Sequence, residues 1–266
     1  MHPYLAEFVG TLLLVLLGNG VVANVVLPNT KGHAGGWIAI VFGWAMAVYV
    51  AVWCVAPFSG AHLNPAVTIG LAVAGKFTPT AATLPVAMAA YVAAQLLGAI
   101  AGATLVFLFY RDHYAVGDDP NAKLATFATA PAIRRATSNL FSEAVGTAVL
   151  VLAVLLAAEP EISVAAASTG ALQPETMKLG LGALGALPVG LLVLAIGLSL
   201  GGATGYAINP ARDLGPRIAH ALLPVPGKRD SDWTYAWIPV VGPILGATLA
   251  AMIWMAAVGN AAVAGS

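Results

Sequence analysis

The amino-acid sequence predicts an all-α membrane protein with six transmembrane helices and two re-entrant half-helices, arranged as two inverted repeats. Three observations support this fold class: an apolar composition, six apolar stretches of membrane-spanning length, and the tripeptide Asn-Pro-Ala at equivalent points of two similar halves. Of the 266 residues, 60% are hydrophobic and 8% are charged, whereas about a quarter of the residues of a soluble domain are charged. The lipid bilayer is therefore the expected surroundings of the chain.

The charge pattern excludes several other classes of protein. The formal net charge is zero and the chain contains no basic block, so nucleic acid is not an expected partner. The single cysteine, Cys54, cannot form an internal disulfide. No Lys or Arg precedes the apolar run Leu12–Leu17, which argues against a signal peptide and for a retained first span.

Six stretches are each long enough to cross a bilayer as a helix, which takes about 20 residues. In chain order they lie near Tyr4–Leu27, Gly36–Pro57, Thr83–Tyr110, Leu140–Ala158, Leu179–Leu200 and Tyr235–Val258. Two further segments, Pro65–Gly75 and Pro210–Leu222, begin inside the Asn-Pro-Ala motifs and are too short to span. They are predicted to be half-helices that enter the membrane and return.

The two halves of the chain repeat each other in sequence. Residues 6–11 resemble residues 142–147, and residues 60–66 resemble residues 205–211. Three full spans in each half reverse the chain direction, so the second repeat is inverted relative to the first and the half-helices meet near the midplane. The prediction is one transmembrane domain over residues 1–266, with repeat one at about 1–110, a polar connector at about 111–139 and repeat two at about 140–260. Gly98 and Gly102, and their counterparts Gly242 and Gly246, are expected at close helix contacts.

The motifs Asn64-Pro65-Ala66 and Asn209-Pro210-Ala211 suit the start of a half-helix. Asn is a favoured N-cap, and Pro fits the first turn because its missing N–H is not needed there. Each N-terminus carries roughly half a positive charge, so two of them at the midplane would repel a cation, including hydronium. The Asn amide nitrogens are predicted to be free to donate hydrogen bonds to a passing molecule.

The residues before each motif are predicted to be unwound and to expose carbonyl oxygens, which is tolerable at this depth only where the backbone is buried or lines a water-filled path. The residues predicted to offer carbonyl acceptors to such a path are Gly60, Ala61, His62, Gly205 and Ala207. Alternating donors and acceptors along an apolar wall suit water or a polyol. A lone Asn-Pro-Ala would indicate only an ordinary capped helix, but two copies at matching points of a repeat indicate a pore.

On these residues the chain resembles the aquaporin (major intrinsic protein) family, and more narrowly its glycerol facilitator, or aquaglyceroporin, branch. The resemblance rests on Gly-Ala-His-Leu-Asn-Pro-Ala-Val-Thr at 60–68 and Gly-Tyr-Ala-Ile-Asn-Pro-Ala-Arg-Asp-Leu-Gly-Pro-Arg at 205–217, and it covers nearly the whole chain. It implies six tilted helices and two half-helices around one pore per subunit, with four identical subunits assembled.

The resemblance also implies a selectivity filter made of Trp44, Gly197, Tyr206 and Arg212. Arg212 would bind substrate hydroxyls, Trp44 and Tyr206 would form an apolar corner, and Gly197 would leave room for the substrate. Asp213 and Arg217 are spaced i,i+4 and are expected to pair on the helix surface. Tyr206 stands where the best-known glycerol facilitators usually have Phe, which leaves dihydroxyacetone, urea and neutral lactic acid open as solutes.

Glu7 and Glu143 are intramembrane carboxylates at equivalent repeat positions. One hypothesis is a proton relay, as in coupled transporters. The preferred hypothesis, which the resemblance implies, is structural support, in which each carboxylate accepts backbone N–H bonds from the unwound loop beside a motif.

The sequence therefore predicts a passive channel for glycerol and other small uncharged solutes, with some water flux and with exclusion of protons and ions. It predicts no enzyme activity, no cofactor and no metal site, and it places the chain as a multi-pass protein in a cell membrane, by preference a bacterial inner membrane. The alternatives are a proton-coupled secondary transporter of a small polar solute, a channel whose main solute is water or neutral lactic acid, and a ligand-gated receptor.

Overall fold

The computed structural model describes residues 1–79, 82–157, 161–164, 175–178 and 180–264. Repeat one contains α1 (Pro3–Val26), α2 (Gly36–Ser59), α3 (Pro65–Val73) and α4 (Leu84–Phe109). The connector contains the short helices α5 (Arg111–Val116) and α6 (Pro120–Ala125). Repeat two contains α7 (Ala136–Leu156), β1 (Glu161–Val164), β2 (Glu175–Lys178), α8 (Leu187–Ser199), α9 (Pro210–Leu222) and α10 (Ile238–Ala264).

Six helical segments in the described ranges are long and apolar enough to cross a membrane, as predicted. The fifth begins as a 3₁₀ helix at Gly182–Ala186 before α8, and the predicted ends at Ala158 and Leu179 lie outside the described residues. Helix α2 continues past the predicted end at Pro57 to Ser59. Proline is tolerated there because its missing N–H removes only one hydrogen bond, in the last turn.

The predicted half-helices are present as α3 and α9, each with Asn at the N-cap and Pro at the first helical position. The structure adds a short antiparallel ribbon, in which β1 pairs with β2 from Glu161–Lys178 to Val164–Glu175. The ribbon lies in the link between α7 and α8 and leaves the helical architecture of the two repeats unchanged.

Glycines set the closest helix contacts, as the sequence predicted. A Cβ on Gly102 would lie 2.6 Å from the carbonyl oxygen of Leu12, and one on Gly98 would overlap the carbonyl oxygen of Phe8, so α4 packs directly on the backbone of α1. In repeat two, a Cβ on Gly246 would overlap the carbonyl oxygen of Ala144, so α10 packs on α7 in the same way. Small residues at such contacts allow van der Waals packing over the whole helix length.

Each half-helix packs on the last span of the opposite repeat. A Cβ on Gly70 of α3 would lie 3.3 Å from the Cβ of Ala247 in α10, and a Cβ on Gly215 of α9 would lie 2.6 Å from the Cβ of Ala99 in α4. Gly70 and Gly215 each follow the Asn of their motif by six positions. The matching contacts relate the repeats by a pseudo-two-fold axis, which brings the N-termini of α3 and α9 together in the core.

Candidate pore and selectivity filter

The two Asn-Pro-Ala motifs are joined to each other by a reciprocal pair of hydrogen bonds. Asn64 Nδ2 donates to the carbonyl oxygen of Ile208 at 2.8 Å, and Asn209 Nδ2 donates to the carbonyl oxygen of Leu63 at 2.8 Å. Each Asn Oδ1 caps its own half-helix by accepting from the backbone N–H of Ala66 or Ala211. Each motif thus holds the unwound loop that precedes the other one.

This geometry changes one expectation from the sequence. The Asn amide groups are not wholly free to donate to a passing molecule, because each uses one N–H on the opposite loop. A side-chain amide carries two N–H donors, so one N–H of Asn64 and one of Asn209 remain for a solute. Asn64 and Asn209 both line a cavity that runs past the two motifs.

The unwound loops share an unusual backbone. Ala61 and Leu63 have φ of 51°, and Tyr206 and Ile208 have φ of 38° and 42°. Positive φ is uncommon for residues other than glycine and costs on the order of 1–3 kcal/mol per residue. The same two positions before each Asn carry this strain, so the two loops adopt matching conformations around the pore.

Glu7 holds the first loop in this conformation from inside the protein. Its Oε1 accepts from the Ser59 hydroxyl at 2.7 Å and the His62 N–H at 2.9 Å, and its Oε2 accepts from the Leu63 N–H and Gln95 Nε2, both at 2.7 Å. The side chain is completely buried. Each oxygen of the carboxylate thus accepts two hydrogen bonds, and Glu7 holds the loop in place.

Glu143 has the equivalent place in repeat two. Its two oxygens accept from the backbone N–H groups of Ala207 at 3.0 Å and Ile208 at 2.8 Å. Donors at these positions match those that Glu7 receives from His62 and Leu63. Both carboxylates therefore satisfy backbone groups that an unwound buried loop would otherwise leave without partners.

A cavity of about 160 Å³ runs past both motifs. Its wall includes the loop residues Gly60, Ala61, His62, Leu63, Ala207 and Ile208. Gly205 is the one predicted carbonyl residue that does not line it, and a Cβ there would instead lie 3.4 Å from Thr129 Cγ2. Much of the remaining wall is aliphatic, with Leu14, Val48, Val52 and Val193 among its members.

Trp44, Tyr206 and Arg212 meet at this cavity, as the resemblance implied. The Arg212 guanidinium carbon lies 4.1 Å from the centroid of a Trp44 ring, within the range of a cation–π contact. Gly18 of α1 makes space for the indole, since a Cβ there would overlap the Trp44 ring. In the described part of the chain, Trp44 Nε1 and the Tyr206 hydroxyl are buried without a hydrogen-bond partner.

Gly197 lies beside Tyr206 but not in the cavity wall. A Cβ on Gly197 would be 2.5 Å from Val41 Cγ1 and 3.0 Å from Tyr206 Cζ. Val41 and the Tyr206 ring therefore occupy the space that this glycine leaves, whereas the resemblance implied that the space is open to a solute.

Asp213 and Arg217 pair as expected, but in the interior and not on the helix surface. Both side chains are completely buried, with Arg217 Nε 2.8 Å from Asp213 Oδ1. Arg217 also donates to the carbonyl oxygens of Thr129, Ser231 and Asp232 at 2.8–3.1 Å. The connector and the segment after α9 fold over the pair, which spacing along one helix could not reveal.

Thr129 binds the same pair from the connector. Its backbone N–H and its hydroxyl both donate to Asp213 Oδ2, at 2.7 and 2.6 Å. Nearby, Asn19 Nδ2 of α1 donates to the carbonyl oxygen of Phe127 at 3.2 Å. The connector is thus anchored next to Arg212, which directly precedes Asp213.

Sequence reasoning missed several residues that build this site. Gly18, Ser59, Gln95 and Thr129 contribute space or hydrogen bonds as described above. Mid-helix Gly18 and the polar Gln95 inside an apolar span were available signals, because such residues in a membrane helix usually have a partner, whereas Ser59 is the last residue of α2 and lies beyond the predicted span. Thr129 carried no signal, since it lies in a polar connector.

Comparisons with known proteins agree with this geometry. Residues 1–254 match the family described as "Major intrinsic protein". The chain is 53% identical over 254 residues to a protein from Thermotoga maritima named "Probable glycerol uptake facilitator protein", covering 96% of this chain and 98% of that one. It is 50% identical over 254 residues to a "Glycerol uptake facilitator protein" from Streptococcus pneumoniae, with the same coverage. The solved aquaglyceroporin of Plasmodium falciparum is 31% identical, with a TM-score of 0.74 and coverage of 95% and 94% of the two chains.

Proposed function

The chain belongs to the major intrinsic protein family, and from this premise we propose that it forms a passive channel for glycerol and other small uncharged solutes, with some water flux. It is a multi-pass membrane protein. Because the family consists of channels, it is a channel and not an enzyme. The names of the relatives at about 50% identity support glycerol as the solute.

The observation that carries the proposal is the meeting of two capped half-helix N-termini in the cavity wall, joined by the Asn64 and Asn209 bonds. The positive ends of two helix dipoles disfavour cations at this point. The remaining amide N–H of each Asn would bind the oxygen of a water or a hydroxyl, so this oxygen would not relay a proton from its neighbour. A neutral hydrogen-bonding solute passes where a proton or cation does not.

The filter chemistry suits a polyol. Arg212 offers N–H donors to hydroxyl oxygens, while the Trp44 ring offers an apolar face to the carbon chain. The buried Trp44 Nε1 and Tyr206 hydroxyl lack partners in the described residues, and a buried group left without a partner costs about 1–3 kcal/mol. We assign the passing solute as the partner of these groups, with Trp44, Tyr206 and Arg212 in contact with it and Gly197 in support of Tyr206.

Glu7 and Glu143 are proposed as structural supports. The alternative, a proton-coupled transporter, needs a carboxylate that exchanges protons with the transport path, whereas Glu7 accepts four hydrogen bonds inside the protein. No observation favours this alternative over a channel.

The assembly and location follow from the resemblance and from the bacterial relatives. We propose one channel domain over residues 1–266, four copies in the working assembly, each with its own pore, and a place in a bacterial inner membrane. Exposed apolar side chains on the spans, such as Phe42, Leu97 and Leu245, are available to lipid or to neighbouring subunits. Native mass spectrometry from lipid nanodiscs measures the copy number.

The deciding experiment is light scattering from liposomes that contain the purified protein, after mixing with an inward glycerol gradient. Rapid re-swelling relative to empty liposomes, with a rate that does not saturate and depends weakly on temperature, supports the channel. Saturation with strong temperature dependence would indicate alternating access. Water-driven shrinkage without re-swelling would contradict glycerol as the solute and leave a water channel.

A further inference from the structure

Trp37 lies next to the proposed filter without belonging to it, and it contacts two filter residues. Its indole Nε1 donates to the carbonyl oxygen of Gly197 at 3.2 Å. Its ring meets the Tyr206 ring edge to face, with the centroids 5.8 Å apart and the planes at 80°. Trp37 is the second residue of α2 and its side chain is 40% exposed, so an interfacial anchor would be the ordinary explanation for a tryptophan here.

The bond to Gly197 exists because α8 ends nearby. The last four carbonyl groups of a helix have no partner within it, and α8 ends at Ser199. The N–H of Leu200 donates to the carbonyl oxygen of Ile196 at 2.7 Å, and Trp37 donates to the next carbonyl, that of Gly197. Trp37 thereby joins the start of α2 to the end of α8.

The Tyr206 ring and the Trp37 ring meet over the glycine backbone at this end. A Cβ on Gly201 would lie 2.5 Å from Tyr206 Cδ1 and 2.9 Å from Trp37 Cζ2, and a Cβ on Gly197 would lie 3.0 Å from Tyr206 Cζ. Tyr206 also has a φ of 38°, so its backbone is strained. Val41 and other buried side chains pack around the Tyr206 ring, but at this end the two glycines offer no side chain, so Trp37 supplies the aromatic contact that orients the ring there.

We propose that Trp37 is a positioning residue that sets the size limit of the selectivity filter. The indole N–H of Trp37 holds the Gly197 carbonyl group, and the edge contact between the Trp37 and Tyr206 rings holds the Tyr206 ring in place. The inference rests on the proposed function, in which Tyr206 is part of the filter. Without Trp37, the Tyr206 ring has room to turn away, and the filter accepts wider uncharged solutes.

The test compares two triols of the same hydrogen-bonding capacity and different width. Glycerol is a linear molecule. In 1,1,1-tris(hydroxymethyl)ethane one quaternary carbon carries three hydroxymethyl groups, which makes this triol wider. Liposomes that contain wild-type protein, Trp37→Ala or Trp37→Phe are mixed with each triol, and the ratio of the two permeabilities is measured. Once the permeability of empty liposomes to each triol is subtracted, this ratio does not depend on how much protein is folded, so a loss of stability alone does not change it.

In Trp37→Ala the ratio of branched to linear triol permeability is expected to rise about tenfold. This is the low end of the discrimination that a difference of one methylene group in a pocket produces. Trp37→Phe keeps an aromatic edge near Tyr206 and loses the N–H, so a smaller rise there assigns the effect to the ring contact. Trp53→Ala is the control, because Trp53 lies on the same helix, is 51% exposed and stacks on Tyr49. Its ratio is expected to equal that of the wild type.

A second comparison uses Tyr206→Ala. If Trp37 acts through Tyr206, then adding Trp37→Ala to Tyr206→Ala leaves the ratio where Tyr206→Ala alone puts it. Wild-type glycerol flux with an unchanged ratio in both Trp37 variants would overturn the inference and keep the proposed function. If Trp37→Ala does not fold, Trp37→Leu, which also removes both the N–H and the aromatic edge, takes its place, and an unchanged ratio there overturns the inference. Absence of glycerol flux in the wild type would overturn the proposed function, and the inference with it.

Discussion

The side-chain amide of Asn64 donates to the carbonyl oxygen of Ile208 at 2.8 Å, across the meeting point of the two repeats. Its Oδ1 meanwhile accepts from the backbone N–H of Ala66 at 2.9 Å. One side chain therefore caps its own half-helix and holds the opposite loop, whose residue Ile208 has a strained φ of 42°. The same arrangement recurs at Asn209, so each repeat depends on the other for the shape of its pore segment.

Replacement of either Asn by Asp should let protons through. In Asn64→Asp and Asn209→Asp the oxygen that caps the half-helix is kept, but the N–H donors are lost and a negative charge replaces them where two helix N-termini repel cations. Proton leak through liposomes that enclose a pH-sensitive dye is expected to rise about tenfold or more, which corresponds to about 1.4 kcal/mol on the barrier. Asn24→Asp is the control. Asn24 Oδ1 also accepts from a backbone N–H, that of Gly32, so the same change is made at an Asn outside the two motifs. An unchanged leak in both pore variants would contradict the proposed role of the motifs.

Filling the space at Gly197 should narrow the filter. In Gly197→Ala the new methyl group overlaps Val41 Cγ1 and lies 3.0 Å from Tyr206 Cζ, which presses the Tyr206 ring out of its present position. Glycerol permeability is expected to fall about tenfold relative to water permeability, since glycerol is the wider solute. Gly202→Ala is the matched control, because a Cβ at Gly202 meets nothing within 4 Å. Equal permeability ratios in the two variants would show that Gly197 does not support the filter.

The two buried glutamates should matter for stability and not for coupling to protons. In Glu7→Gln one of the two oxygens becomes an NH₂ group, which faces two hydrogen-bond donors, and each orphaned donor costs about 1–3 kcal/mol. The unfolding temperature in detergent is expected to drop in Glu7→Gln and likewise in Glu143→Gln, where the two oxygens accept from the backbone N–H groups of Ala207 and Ile208.

Asp112→Asn, at an exposed carboxylate, controls for the loss of a charge and should unfold at the wild-type temperature. Glycerol flux per folded protein is expected to be independent of bath pH in the wild type and in both glutamate variants. If glycerol flux follows a pH gradient in the wild type but not in one of the glutamate variants, the protein would be a proton-coupled transporter and not a passive channel.

The pair Asp213–Arg217 should be far more costly to break than a surface ion pair. In Asp213→Asn the buried Arg217 guanidinium loses its counter-ion, and removal of one partner of a buried pair costs about 3–5 kcal/mol. Arg217→Met should be similarly destabilising, while the double variant should lose less than the sum of the two because no uncompensated charge remains. Thermal unfolding of the three variants measures this coupling. Strictly additive losses would mean that the two side chains act independently.

The membrane fold could be predicted from the sequence because apolar stretches, short motifs and an internal repeat are visible in the sequence itself. Span length follows from residues close together in the chain, and the paired Asn-Pro-Ala motifs and the internal repeat follow from comparing the two halves of the sequence. The spacing of Gly98 with Gly102, and of Gly242 with Gly246, predicted that these glycines lie at close helix contacts, and the structure identifies α1 and α7 as the helices that they contact. Candidate pore residues such as Trp44 and Arg212 came from the resemblance, and the structure brings them within 4.1 Å.

The class of protein and the positions of the spans and half-helices follow from the amino-acid sequence alone, and the family resemblance supplies several of the residues that line the cavity. The tertiary structure adds the relationships between distant segments: the Asn amides cross to the opposite loops, Asp213 and Arg217 are buried under Thr129, and Trp37 contacts Gly197, 160 positions away. The physical reason is that a helix pattern predicts which face is buried. It does not predict which distant carbonyl or ring completes the buried hydrogen bonds and fills the space beside a glycine.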